Sequence, residues 1–86
     1  MSKEMLKQSM LMAVENQLKS NDPPETAATL QRLMKEGYSR QTALEMIASV
    51  LIGEVFDVVK SNEPYNEKRY VSRLHQLPTL QSDDEA

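Results

Sequence analysis

The chain has 86 residues and no cysteine, no tryptophan, one phenylalanine, one histidine and two glycines. Without cysteine there are no disulfide staples, thiolate zinc sites or cysteine nucleophiles, and a reducing compartment fits. Two glycines, Gly37 and Gly53, cannot build a glycine-rich phosphate cradle. No serine stands in a strand-to-helix elbow with His and Asp partners, so no catalytic residue is nominated and no enzyme activity or cofactor is expected. Basic charge is scarce: ten Lys and Arg against thirteen Asp and Glu leave a net charge of -3, which disfavours a nucleic-acid partner. No apolar run is long enough to cross a bilayer. The nearest, 43–59, is interrupted by Glu45, Glu54 and Asp57. The opening Met-Ser-Lys-Glu starts no cleavable apolar segment, so a cytoplasmic protein away from membranes is expected.

What remains is an aliphatic composition, 40% hydrophobic with six methionines to fill gaps. This length predicts one domain, over 1–78, with a thin stability margin because so short a chain buries only about 60% of its unfolded surface. The last residues, 79–86, end in Asp83-Asp84-Glu85 and read as a disordered acidic tail.

Apolar spacing predicts an all-α fold, a small four-helix bundle. Ser2 can cap a first helix to about residue 19, with Leu6, Met10, Ala13, Val14 and Leu18 on one stripe and Leu11 at its edge. Asp22, Pro23 and Glu25 read as a capping box opening a second helix that buries Ala27, Leu30, Leu33 and Met34. Gly37 can take the left-handed conformation that closes this helix, Tyr38 can pack under the corner, and Ser39 can cap the third helix. That third helix, to about residue 60, is the longest and most apolar, which makes it the expected centre. Leu44, Ile47, Ala48, Leu51, Ile52, Val55, Val58 and Val59 cover nearly half its circumference. Asn66 can cap a short fourth helix carrying Tyr70, Val71, Leu74 and Leu77, which Pro78 stops. Short loops predict successive antiparallel hairpins for the first three helices.

Polar residues on apolar faces are the candidate contacts. Glu54 falls inside the apolar face of the third helix, where a carboxylate must be paired, hydrogen-bonded or neutral. Gln17, Tyr38 or an arginine are its candidate partners. Gln17 lies likewise on the stripe of the first helix, and Glu15 and Tyr38 complete the set. Apolar residues that stray from the main faces, Met46, Val50 and Phe56 on the third helix and Leu11 and Met12 on the first, mark a candidate interface and predict a homodimer through those two helices. Gly53 within the third helix costs about 1 kcal/mol relative to alanine and implies close approach by a neighbour or a small bend.

Two motif readings compete with this one. The corner Gly37-Tyr-Ser-Arg-Gln-Thr42 resembles the turn of a helix-turn-helix DNA reader, with Arg40, Gln41 and Glu45 toward base edges. The helix that would enter the groove is apolar and short of Lys and Arg, whereas such helices need phosphate contacts. The corner is also similar to the first loop of ubiquitin-associated domains, but Glu36 stands where their methionine precedes the glycine.

A longer pattern is more specific: Val14-Glu-Asn-Gln17, Asp22-Pro-Pro-Glu25, Leu33 to Tyr38, Ala43 with Met46-Ile47, Glu54, and Pro64-Tyr-Asn-Glu-x-Arg-Tyr70. Together these resemble a family of small uncharacterised bacterial helical proteins, related copies of which occur beside SEC-C-type zinc motifs. The resemblance spans about 11–78 and implies an all-α fold and self-association. It also implies His pairs four apart on the first and third helices, but the matching positions here are Lys7, Leu11, Gln41 and Glu45. The resemblance thus points to a degenerate member of a metal-binding family, with no metal ligand nominated. The leading expectation is a non-catalytic protein-interaction or self-associating domain.

Overall fold

A computed structural model describes residues 3–78. Among them four helices follow one another: α1 (Lys3–Ser20), α2 (Pro24–Lys35), α3 (Arg40–Ser61) and α4 (Glu67–His75). The expected Ser2 cap and the acidic tail over 79–86 lie outside the described residues. The chain is an all-α four-helix bundle in which α3 packs against each of the other three helices.

Helix ends are set by local hydrogen-bond chemistry. α1 closes in a Schellman motif: Asn21, at φ 53°, turns left-handed and its N–H donates to Leu18 O, while Asp22 N–H donates to Gln17 O at 3.0 Å. α2 closes in the same way through Gly37, at φ 109°, with Gly37 N–H to Met34 O and Tyr38 N–H to Leu33 O. Ser39 then caps α3 by accepting from Thr42 N–H, and Asn66 caps α4 by accepting from Arg69 N–H.

The start of α2 differs from expectation. Its cap residue is Pro23, with no side-chain cap, and Pro24 is the first helical residue. Asp22 lies one residue before the cap position, and its backbone N–H closes α1, so its side chain is not placed to cap α2. Pro23 O accepts from Thr26 N–H in its place. Two prolines with φ fixed near the helical value stabilise the start without a capping box.

α3 runs back along α1 in the opposite sense, since ion pairs join Glu15 to Arg40 and Lys7 to Glu45. Strict alternation through two short loops would make α1 and α3 parallel. At 12 residues, α2 is about 18 Å long and crosses between them rather than returning the full length of either.

The core comprises Val14 of α1, Leu30 and Leu33 of α2, Ala43 to Leu51 of α3 on its inward positions, and Tyr70, Leu74 and Leu77. On α2 the buried face is Thr26, Thr29, Leu30 and Leu33. Met34 is 40% exposed and Ala27 only half-buried, which corrects the expected face by a fraction of a turn. The rotation follows from Thr26, whose hydroxyl is drawn inward to Gln17.

Candidate functional site

Two regions of the surface and core hold the residues with chemistry. The first joins α4 to the rest of the bundle. Glu54 has no exposed surface. Arg69 Nε donates to both its oxygens, at 3.0 and 3.2 Å, and Arg73 Nη1 lies 2.8 Å from Oε2. Arg73 Nη1 also pairs with Asp57 at 3.0 Å. Arg69 and Arg73 are four apart on α4 and therefore share a face, so a helix this short can clasp one carboxylate from above and below. Both guanidinium side chains keep about a third of their surface in water. The hydrogen bond to Glu54 raises the Arg69 pKa further above its already high value, so it stays charged. The clasp passes beside Gly53: a Cβ there would sit 3.7 Å from Arg73 Nη1, an ordinary van der Waals contact, so the close approach expected to require a glycine is not found.

Around this clasp lie two further fastenings, one between neutral side chains and one from an arginine to carbonyls. Gln17 Oε1 accepts from Thr26 Oγ1 and from Tyr70 OH, each at 2.8 Å, so a single amide ties α1 to α2 and α4. Burial pushes the Tyr70 phenol above its usual pKa, against the opposing effect of its hydrogen bonds with Thr26 and Gln17. Arg32 of α2 donates to Leu77 O at 2.9 Å and Leu74 O at 3.0 Å, satisfying carbonyls at the end of α4. Tyr65 stacks at a tilt on Tyr70, with ring centroids 6.2 Å apart.

The candidate polar residues thus separate. Glu54 and Gln17 both serve α4, through different partners, and the partners of Glu54 are arginines rather than Gln17 or Tyr38. Tyr38 is half-buried against the core below the α2–α3 corner. Glu15 stands apart, in an exposed pair with Arg40 at 3.2 Å. The three side chains of the helix-turn-helix reading are engaged within the chain: Arg40 with Glu15, Gln41 with Glu45 at 2.9 Å, and Glu45 with Lys7 at 3.3 Å. Hydrogen bonds from Gln41 and Lys7 hold the Glu45 carboxyl below its usual pKa. Lys7, Gln41 and Glu45 therefore converge across α1 and α3 as a hydrogen-bonded ion pair. Among the described residues no three His, Cys, Asp or Glu side chains converge. His75 is exposed at the end of α4.

The second region is apolar. Met46 and Val50, expected at an interface, are 8% and 4% exposed and are covered within the single chain. Leu11 packs half-buried against the same core. The inward face of α3 is wider than a half-circle over its first three turns because α1, α2 and α4 all surround it, and this brings Met46 and Val50 inside. Met12 is 66% exposed on the solvent side of α1. Phe56 is 57% exposed, joined by Val55 at 38% and Val59 at 76%, with Ile52 half-buried beside them. Ile52, Val55 and Val59 belong to the apolar half of α3, yet Val55 and Val59 are exposed. Their spacing of 52, 55, 56 and 59 makes one continuous stripe on α3.

The stripe is bare because α3 outruns its cover. Glu45, Ile52 and Val59 are successive sevens on one flank of α3, the flank that Lys7 of α1 reaches. α1 as described begins at Lys3, only about 6 Å beyond Lys7, whereas Phe56 and Val59 lie about 16 and 21 Å beyond Glu45. α4 lies on the other flank, held at Glu54 and Asp57. A comparison of α1 and α3 lengths was the signal in the sequence; a helical wheel of α3 alone does not contain it.

Among the described residues no helix is long and apolar enough to cross a membrane. No protein-family model matches the chain, and no curated protein or solved structure is significantly similar to it.

Proposed function

We propose that this chain is a non-catalytic protein-interaction domain with a capacity for self-association. Its docking face is the stripe Ile52, Val55, Phe56 and Val59 on the second half of α3. The observation that carries this reading is that three large apolar side chains stand in line beyond the reach of α1, with a rigid helix beneath them. Patches of this kind on a folded domain are where partners bind, because covering them releases ordered water at little cost in backbone freedom. The polar clusters support a structural role instead: the charges of Glu54, Arg69, Arg73 and Asp57 are spent on one another. The resemblance to small bacterial helical proteins, which implies self-association, agrees with this reading.

The test is photo-crosslinking in the native host with p-benzoylphenylalanine in place of Phe56 in the full chain. The expected result is a covalent adduct with a polypeptide, mapped by mass spectrometry to α3. The same probe in place of Gln8, on the exposed back of α1, should give far less. Failure to capture any polypeptide at position 56 would refute the reading.

A further inference from the structure

Resting on that reading, we infer that the occupant of the α3 stripe is the same stripe of a second copy, packed antiparallel about a twofold axis between Val55 and Phe56. The pattern of side chains is complementary to its own reverse. In that register Phe56 of each copy faces Val55 of the other, and Ile52 faces Val59, so each large side chain meets a smaller one. A parallel pairing would set Phe56 against Phe56 and leave the valines facing one another across a gap.

The charges favour the same arrangement. Asp57 is turned away and held by Arg73. Lys60 is the charged residue of α3 left beside the stripe. Antiparallel packing separates the two Lys60 Cα atoms by about 13 Å along the helix axis, more than the Debye length of about 8 Å at physiological salt. Parallel packing would bring them level. Polar residues that carry no charge, Ser49, Ser61 and Asn62, supply a rim at either end.

The size of the contact fixes its strength. The exposed parts of Ile52, Val55, Phe56 and Val59 amount to about 300 Å² per copy, against about 800 Å² per partner in a standard stable complex. The pairing is therefore weak and reversible, and most of the dilute protein is monomeric.

The absence of cysteine makes the geometry directly readable. Val55→Cys, Val59→Cys and Ile52→Cys each introduce a single thiol into the full chain. Under mild oxidation Val55→Cys is expected to form a homodisulfide about tenfold faster than Val59→Cys, whose two sulfurs would start about 10 Å apart along the axis, too far for a bond. A mixture of Ile52→Cys and Val59→Cys chains should form the mixed disulfide in preference to either homodimer. Sedimentation of the wild-type chain from about 10 µM to about 1 mM should show rising mass, as expected of a small interface. Phe56→Ser with Val59→Asp should remove that rise while circular dichroism stays unchanged. Equal or faster crosslinking of Val59→Cys would overturn the antiparallel register. A constant monomer mass with no disulfide from any variant would overturn the second copy as occupant. If crosslinking at position 56 then still captured a different polypeptide, the docking reading would stand without self-pairing.

Discussion

The clasp on Glu54 is asymmetric, and the asymmetry can be measured. Glu54 has no exposed surface, whereas Arg69 and Arg73 each keep about a third of theirs. Removing the carboxylate leaves two arginines that can turn to water, both still paired with Asp57, Arg73 at 3.0 Å and Arg69 at 3.9 Å. Removing both arginines leaves a carboxylate in an apolar site with no partner. Breaking a buried pair in that direction costs about 3–5 kcal/mol, while exchanging the buried group for an apolar one of similar volume costs little or stabilises. Glu54→Met should therefore change stability by less than about 1 kcal/mol, because the side chain stays among Val50, Leu51 and Val58 on an otherwise apolar face. Arg69→Ala with Arg73→Ala should lose about 3–5 kcal/mol, a large share of the stability of so small a domain. Arg73→Ala alone should fall near the middle, since Arg69 Nε already reaches both oxygens. The assay is urea unfolding followed by circular dichroism at neutral pH, with a thermal scan in parallel. At about 4–8 °C per kcal/mol, the double variant should melt some 12 °C or more below wild type. If Glu54→Met destabilised as much as the double arginine variant, the clasp would be a net source of stability. The desolvation argument would then be wrong.

Three further outcomes follow from single contacts. Gly53→Ala should stabilise by about 0.5–1 kcal/mol, since the new methyl meets Arg73 at ordinary van der Waals distance and the helix gains propensity, whereas Gly37→Ala should cost about 1 kcal/mol through its left-handed backbone alone; thermal melts of the two variants should move in opposite directions. Arg32→Met should cost about 1.5–3 kcal/mol by stripping a charged donor from the carbonyl of Leu74 in α4 and from that of Leu77 in the turn after it, and hydrogen exchange should rise first in residues 70–77. The raised pKa of Tyr70 favours its neutral form in the folded state, so its contribution is complete below pH 10 and is lost as pH rises beyond that. Tyr65, pushed up to about 12 chiefly by desolvation, acts in the same direction but is half exposed and more screened. Tyr70→Phe should flatten the alkaline decline of the urea midpoint while costing about 1 kcal/mol at pH 8 for the lost bond to Gln17; an unchanged alkaline slope would refute the assignment.

Features encoded by a few adjacent residues were legible in the sequence. Gly37, Ser39 and Asn66 each act through their own backbone or a donor three residues away, so the fourth helix and the α2–α3 corner stand where local chemistry places them. Asp22 departs from the same logic because α2 begins one residue later than its capping pattern places it, at Pro24 with Pro23 as cap. The burial of Met46 and Val50, and the exposure of Val55 and Val59, were not legible from α3 by itself. Burial on a central helix is decided at each level by which neighbours reach that level. The mutual position of α1 and α3 is a tertiary fact, marked by the pairs Lys7–Glu45 and Glu15–Arg40 between residues distant in sequence. Glu54 was visible as an anomaly of pattern. Its partners were not, since nothing in the spacing of Arg69 and Arg73 points to a carboxylate fifteen and nineteen residues earlier.

The two ends of α3 are built to different rules. In its first three turns the bundle wraps it and the inward face is apolar throughout. Beyond Leu51, among the described residues, α4 is the helix held against it, and a nine-residue helix can close one flank. On that flank the sequence places charges, Glu54 and Asp57, matched by arginines of α4. Apolar packing alone would give a short helix a surface over which it could slide, whereas a two-arginine clasp has one register. On the opposite flank the sequence places Ile52, Val55, Phe56 and Val59, of which, among the described residues, the last three stay largely uncovered. Folding does not require apolar groups there: polar side chains would serve a solvent-facing helix and would lower the hazard of aggregation. The clasp fixes the far half of α3 from one side, and a helix so fixed can present the other side rigidly. That division of labour, ionic where position must be unique and apolar where a surface must be covered later, is the physical basis for placing the interaction on this half of α3.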